Sequence, residues 1–352
     1  MKKHAIIPVF IPHKGCPNDC VFCNQKKITA RSGGVTMEDV KNTIETYLST
    51  LEKSSVETIE IAFFGGSFTG IPIEEQSAFL SVAKKYKDSG RIHKIHMSTR
   101  PDYINEEILD NLKKYGADTI ELGVQSFDDE ILKKAGRGHD SKIVYRSSRL
   151  IQDYGFELGI QLMIGLPGDT MEASLYSARE TVKIGPQIAR LYPTIVINDT
   201  ELYNMYRRGE YEPLSQEEAL SRTKAMYQII DDAGINIIRV GLKSSDLINE
   251  NGEISGNTYH PAFRQLVEGE IARDRIQAQL DALSLGNPVG GGFDRRGRTK
   301  VDVFSCPESF SNMVGHKACN KTYFAGKYSN LSFAFRTDGE LEPNRYRVAV
   351  KE

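Results

Sequence analysis

The chain lacks the features that would mark it as membrane-bound, secreted or disordered. No apolar run approaches the ~18 residues that a membrane span requires. The start, Met1-Lys2-Lys3-His4, runs straight into a strand-like 5–11 stretch with no small-residue cleavage site, so a signal peptide is not expected. Neither sign of charge is in excess: 45 Lys and Arg face 47 Asp and Glu, a net charge of −2. That balance argues against a chain built mainly to coat nucleic acid or to lie on a membrane. Gly and Pro are ordinary and 26% of residues are charged, which excludes collagen-like structure and long disorder. Cysteines number five, an odd count, and three of them fall within eight residues. Disulfide scaffolds are not spaced like that; metal binding in a reducing compartment is, and a cytoplasmic location is expected.

A chain of 352 residues is long enough for one large domain, or a core domain with an appendage, and buries about 75% of its unfolded surface. Up to residue 243, strand-like and helix-period stretches alternate. Strands are expected over 5–11, 58–64, 94–98, 119–124, 157–164, 188–197 and 235–240. Helices are expected over 37–51, behind the N-cap Thr36, and over 73–89, 105–115, 141–154, 170–184 and 215–232. Repeated alternation of this kind means right-handed crossovers and a parallel sheet, an α/β architecture whose ligands bind beyond the carboxyl ends of the strands. From 244 to 352 the pattern changes to a long helix over 260–283, a Gly/Arg-rich link over 285–300, and three short strands over 301–304, 331–336 and 345–350. This second part reads as a small α+β extension.

The most informative segment is Cys16-Pro17-Asn18-Asp19-Cys20-Val21-Phe22-Cys23, a C-x3-C-x2-C spacing after the first strand. Three thiolates on one loop can hold three corners of a four-iron cube, which leaves one iron open to an outside chelator. An α-amino acid chelates through its amine and carboxylate. The alternative is a zinc site completed by His13, although structural zinc sites usually use paired C-x2-C units and here there is only one.

This loop resembles the signature of radical S-adenosylmethionine (SAM) enzymes, with Phe22 where that family places an aromatic. His13-Lys14-Gly15-Cys16, Phe64-Gly65-Gly66-Ser67-Phe68-Thr69, Ser98-Thr99-Arg100-Pro101-Asp102, Glu121-Leu122-Gly123-Val124-Gln125-Ser126, Arg137-Gly138-His139 and Gly165-Leu166-Pro167-Gly168 are similar to the Elongator-catalytic-subunit-like branch. The resemblance covers about residues 5–245. It implies a partial (β/α)6 radical SAM barrel in which Cys16, Cys20 and Cys23 hold a 4Fe–4S cluster with SAM on the open iron. It also implies an electron donor such as flavodoxin or ferredoxin. In the family the cofactor makes a 5′-deoxyadenosyl radical that takes a hydrogen atom from the substrate, while the protein supplies orientation and a dry cavity.

The same resemblance assigns SAM contacts to Phe22, Gly65, Gly66, Ser67, Ser98, Gln125, Arg137 and Gln161. Gly65-Gly66 would let backbone approach the amino group, with the Ser67 hydroxyl adding a contact where many members carry Glu. Ser98 stands where relatives often carry Glu, which puts its ribose contact in doubt. Arg100 is as readable as a salt-bridged structural residue as it is as a ligand. Gln125 and Arg137 match a SAM-holding pair in related coproporphyrinogen dehydrogenases, a guanidinium suiting a carboxylate; the alternative is a surface arginine. Gln161 stands where those relatives bind ribose, or fills the barrel as a plain amide. Arg190 and Tyr192 on the sixth strand, Asn198 and Asp199 beyond it, and Arg239 on the seventh need partners, from substrate or core; Tyr192, Asn198 and Arg239 are the substrate-contact candidates. Tyr259-His260-Pro261 and Arg264 read as helix capping or as closure of the open barrel side. Cys306, His316 and Cys319 could suggest a second metal, but without a C-x2-C pair the cysteines read as buried structural thiols. Gly315-His316-Lys317-Ala318 has the outline of a nucleic-acid-gripping G-x-x-G loop but ends in Ala, and is set aside. Arg295-Arg296-Gly297-Arg298-Thr299-Lys300 is a basic turn that could meet a phosphate but reads first as solvated.

Elongator-type enzymes carry an acetyltransferase domain after the radical domain, and at 352 residues this chain is expected to lack one, so acetyl transfer is not expected. With the even charge balance, that points to a small-molecule substrate rather than tRNA. Among short relatives the chain is similar to bacterial queuine lyases, which cleave the carbon–nitrogen bond between cyclopentenediol and base to release 7-aminomethyl-7-deazaguanine in queuosine salvage. The expectation is therefore a carbon–nitrogen lyase acting on a 7-deazaguanine base. The alternatives are a radical SAM enzyme that modifies tRNA wobble uridine, and a non-catalytic iron–sulfur or RNA-binding subunit.

Overall fold

The structure, a computed structural model, describes residues 4–11, 16, 20–23, 35–53, 55–242, 252–285 and 292–351. It divides into two compact units, Met1–Pro261 and Ala262–Glu352. This places the division later than the expected 243/244. The strand Ile254–Ser255 pairs antiparallel with Val196–Ile197, and the Thr258 hydroxyl donates to the Leu214 carbonyl, so 252–258 belongs with the first unit.

The first unit opens with β1 (His4–Ile11), α1 (Met37–Leu51) and β2 (Thr58–Gly65), then α2 (Ile73–Asp88), β3 (Lys94–Thr99), α3 (Glu106–Lys114) and β4 (Thr119–Gln125). It continues with α4 (Asp129–Lys134), α5 (Ser141–Asp153), β5 (Glu157–Ile164), α6 (Met171–Ile184) and β6 (Ile188–Pro193). Last come β7 (Val196–Ile197), α7 (Glu201–Arg207), α8 (Gln216–Asp232), β8 (Asn236–Val240) and β9 (Ile254–Ser255). Seven strands form one sheet in the order β1-β2-β3-β4-β5-β6-β8, every neighbouring pair parallel. Strand order that follows chain order, with a helix on each crossover, curves the sheet into a half-barrel with the helices outside.

Local chemistry accounts for the helix starts. Thr36 and Asp39 form a capping box, and Asn105, Asp128, Asp140, Thr170, Thr200 and Ser215 each cap a first turn with a side-chain oxygen. The expected 188–197 strand is cut at Pro193, and Thr194 instead donates its N–H to the Ile164 carbonyl. The strands' outward side chains, Ile7, Ile61, Ile95, Leu122, Ile160 and Leu191 among them, are fully buried under the helices.

The second unit holds α9 (Phe263–Leu285), β10 (Thr299–Ser305), α10 (Phe310–Val314), α11 (Cys319–Lys327), β11 (Leu331–Thr337) and β12 (Tyr346–Val350). Its sheet runs β11-β10-β12, parallel on one side and antiparallel on the other. Ala272, Ile276 and Leu280 of α9 pack with Val301, Val303, Met313, Phe324 and Tyr346 in its core. The short helices α10 and α11 stand where the sequence suggested only polar turns.

Candidate active site

At the carboxyl ends of the strands the chain makes an electropositive cradle. Gly65 takes φ +111°, and a β-carbon there would stand 2.6 Å from the Ile11 carbonyl oxygen, so only glycine fits. Gly66 donates its N–H to that same carbonyl, which ties the ends of β1 and β2 together just before the cysteine loop. Cys20 is buried, and Cys16 and Cys23 are half-buried. The Cys23 N–H donates to the Cys20 carbonyl, and Val21 between them exchanges backbone bonds with Ala135 and Leu202. Val21 and Phe22 pack against Ile131, Ala135 and Leu166 on one side and against Val196, Leu202 and Tyr211 on the other.

Cations and N–H groups face these thiols. Arg137 Nη1 lies 3.2 Å from Cys20 Sγ, and its Nη2 donates to the Gly123 carbonyl. Arg100 grips Asp102 with two bonds of 2.9 and 2.8 Å and donates to the Arg137 carbonyl, so it is salt-bridged and also orients the loop. Burial pushes the Cys16 thiol up from its ordinary value, while Arg100, Arg137 and the Ser67 backbone N–H pull it down. Burial, together with Arg137 and Arg100, lowers His139 to about 4, which leaves it neutral. Gln125 sits at φ +72°, a costly conformation for a non-glycine residue, at an irregularity in the β4–β5 ladder. Its buried Oε1 has no hydrogen-bond partner among the described residues. A side chain on Gly123 would crowd both Gln125 and Arg137.

A second polar group lies deeper, on the concave face. Glu121 is 0% exposed. It sits 2.7 Å from Arg190 Nε and 3.5 Å from His96 Nε2, and it accepts from Gln161 and from Ser98 at 3.3 Å. His96 Nδ1 meets Glu60 at 2.5 Å, and Glu60 meets His4 at 3.0 Å. Burial works to lower the His96 pKa, but Glu121 and Glu60 outweigh it and hold the ring charged up to about 9. Arg190 lies over the Phe64 ring at 4.9 Å and donates to the Tyr192 hydroxyl at 3.2 Å. Burial raises the Tyr192 pKa, opposed by Arg190 and Arg239. Phe64, Ser98, Gln161, Met163, Tyr192 and Arg239 are half-exposed on strands that are otherwise largely buried, which marks the open side of the half-barrel.

The structure therefore gathers the expected residues into two adjoining layers: the three cysteines, Gly65, Gly66, Gln125 and Arg137 at the strand ends, and Ser98, Gln161, Tyr192 and Arg239 within. Two expectations need amending. Ser67 is 1% exposed, and its hydroxyl accepts from the Arg100 N–H and is bonded to Thr99, so the hydroxyl is engaged within the protein. Asn198 has its side-chain oxygen taken by Ser255 and its N–H by the Glu253 carbonyl, which makes it part of the β7–β9 ribbon. Glu60, His96 and Glu121 carried no expected role; their signal was charge placed within apolar strands. Cys306 is buried and bonds Ser309, whereas Cys319 bonds Asn320 but is exposed, so it is not the buried thiol expected. His13 lies outside the described residues.

Residues 10–176 match the family described as the Radical SAM superfamily, and residues 186–273 match the Radical_SAM C-terminal domain. The chain belongs to the radical SAM superfamily. It is 31% identical over 255 residues to the tRNA uridine(34) acetyltransferase of Methanocaldococcus infernus, an alignment covering 61% of this chain and 48% of that one. It is 26% identical to Elongator complex protein 3 of Schizosaccharomyces pombe, over 68% of this chain and 50% of that one. The solved archaeal Elp3 of M. infernus superposes with a TM-score of 0.62 at 24% identity, covering 78% of this chain and 64% of that one. These relatives place the chain in the Elp3-like branch, and it spans about half the length of the curated relatives it matches. Radical SAM proteins bind a 4Fe–4S cluster and SAM, and the cradle suits both. Its donors are three soft thiols, its wall carries the Arg137 guanidinium 3.2 Å from Cys20, which favours anionic ligands, and its buried Gln125 oxygen is unmatched. Among the described residues no helix is long and apolar enough to cross a membrane.

Proposed function

We propose that this radical SAM enzyme acts on a nucleobase carried by tRNA. The observation that carries the reading is the 255-residue likeness to archaeal enzymes named for tRNA uridine(34). It reverses the expected order, in which length and charge balance favoured a small molecule and the likeness to queuine lyases made that a free base. When bound, the reduced cluster and SAM supply hydrogen-atom abstraction. The chain's own residues bind, orient and exclude water. Cys16, Cys20 and Cys23 hold the cluster, and Phe22 wedges their loop against the barrel. The Gly65-Gly66-Ser67 backbone receives the amino group of SAM, Arg137 its carboxylate, and Gln125, Ser98 and Gln161 its polar groups. Tyr192 and Arg239 face the base, and the Glu121–Arg190 pair holds Tyr192 in place.

A free 7-deazaguanine base, with cleavage of its carbon–nitrogen bond, is the second reading. It is favoured by the polar side chains on the concave face, Arg190, Tyr192, Gln161 and Ser98 among them, and by the net charge of −2. Anaerobic protein with dithionite and SAM separates the two. Stimulation of 5′-deoxyadenosine release by tRNA supports the first reading. Stimulation by queuine with no response to tRNA replaces it with the second.

A further inference from the structure

The stretch from Ser309 to Thr337 contains Lys317, Lys321, Lys327 and Arg336 and not one Asp or Glu, although Arg336 is paired with Asp302 of the neighbouring strand at 3.2 Å. It folds as α10, a four-residue loop, α11 and the edge strand β11. Its unit carries 14 Lys and Arg against 11 Asp and Glu, so the negative balance of the chain lies wholly in the other unit. The loop between the helices is Gly315-His316-Lys317-Ala318. Lys317 and Ala318 both take left-handed backbone, at φ +50° and +60°. Gly315 has no room for a side chain: a β-carbon would stand 2.6 Å from Cys319 Sγ and 2.9 Å from the Asn320 nitrogen. Asn320, 1% exposed, fixes the loop by donating to the Gly269 and Asn312 carbonyls at 2.8 and 3.2 Å. Lys317 and Lys321 are exposed, and Lys321 lies 5.1 Å from the ring of Phe335 on β11. Tyr323 of α11, half-buried against the unit's core, is flanked by Lys327 and by Arg273, which is itself paired with Glu270 at 3.1 Å.

We propose that the 315–318 loop and the neighbouring face of α11 and β11 bind the sugar–phosphate backbone of single-stranded RNA. A tight, glycine-initiated loop between two helices, set beside a three-stranded sheet, is the device by which KH-type modules clamp about four nucleotides. Lysines in an acid-free stretch serve phosphates, and cation-flanked aromatic rings serve bases. Ala in the fourth position is accommodated because it already holds the left-handed conformation that glycine would supply. The inference gives the tRNA reading a second grip on its carrier without requiring it, since loop and barrel can fail separately.

The test is fluorescence anisotropy of the full reconstituted chain with a short labelled single-stranded RNA, across a salt series. His316→Asp with Lys317→Asp should weaken binding at least about tenfold and flatten the salt slope by about 1. Unfolding temperature, iron content and RNA-independent SAM cleavage should not change. Lys142→Glu, on exposed α5, should bind as the parent does. Ala318→Gly should bind at least as tightly as the parent, and this arm stands even if the double variant misfolds. Absence of RNA binding by the parent, equal binding by the double variant, loss of binding in Ala318→Gly, or equal affinity for DNA of the same sequence would each overturn the proposal. Failure of the tRNA reading looks different: RNA binding intact, with no tRNA-dependent 5′-deoxyadenosine.

Discussion

Replacing Glu121 with Gln removes one charge from the centre of the half-barrel and keeps its shape. In the native chain that carboxylate faces two buried cations, Arg190 at 2.7 Å and the ring of His96 at 3.5 Å, and is itself 0% exposed. Breaking a buried pair on one side typically costs 3–5 kcal/mol, because the partner is left charged and unmatched. Gln retains some hydrogen bonding, so a loss of about 3 kcal/mol is expected, a fall in unfolding temperature of roughly 6–12 °C for a unit of this size. The pH dependence tests the same charges. His96 is raised from 6.5 to about 9 in the folded chain, which corresponds to about 3 kcal/mol. A raised histidine stabilises fully below its unfolded value, and that stability is lost as pH climbs from about 6.5 through about 9. Unfolding followed by circular dichroism between these limits should show a declining stability in the parent and a shallower decline in Glu121→Gln, where His96 keeps only Glu60. A variant within about 1 kcal/mol of the parent, with an unchanged pH slope, would refute the coupled charges.

Three further outcomes are expected. Arg137→Ala should leave iron binding near parent levels, because all three thiols remain, and raise the SAM concentration for half-maximal cleavage more than about tenfold, as loss of a charge-assisted contact would. Gly65→Ala, with its β-carbon 2.6 Å from a backbone oxygen, should cost about 2 kcal/mol or more in denaturant unfolding; a neutral result would mean that β1 and β2 are not joined as described. Ala318→Gly should stabilise the second unit by about 1 kcal/mol, because it relieves a left-handed alanine.

Much of this was legible in the chain because the signals are local. The Thr36 and Asn105 caps set helix starts to within a residue, and β-rich runs such as 157–164 became strands over the same span. The cysteine spacing sits on one loop and could be read without a fold. The ion network could not: Glu60, His96 and Glu121 are 25 or more residues apart in sequence, and only the parallel register brings them together. The role of Ser67 was misread for a related reason. A hydroxyl beside two glycines looks ligand-facing until Thr99 and the Arg100 N–H, arriving from the next strand, take it inward. The paired helices of the second unit escaped notice because α10 has five residues, too few for periodicity to register.

The half-barrel is joined strand to strand from β1 to β8, yet among the described residues those two end strands do not pair with each other. A closed ring admits a reactant only through its mouths, so anything attached to that reactant must be small enough to be left outside or threaded. A wall with a seam removes that limit. Along an unjoined edge, unlike at a mouth, a reactant can lie with its attachments outside the wall.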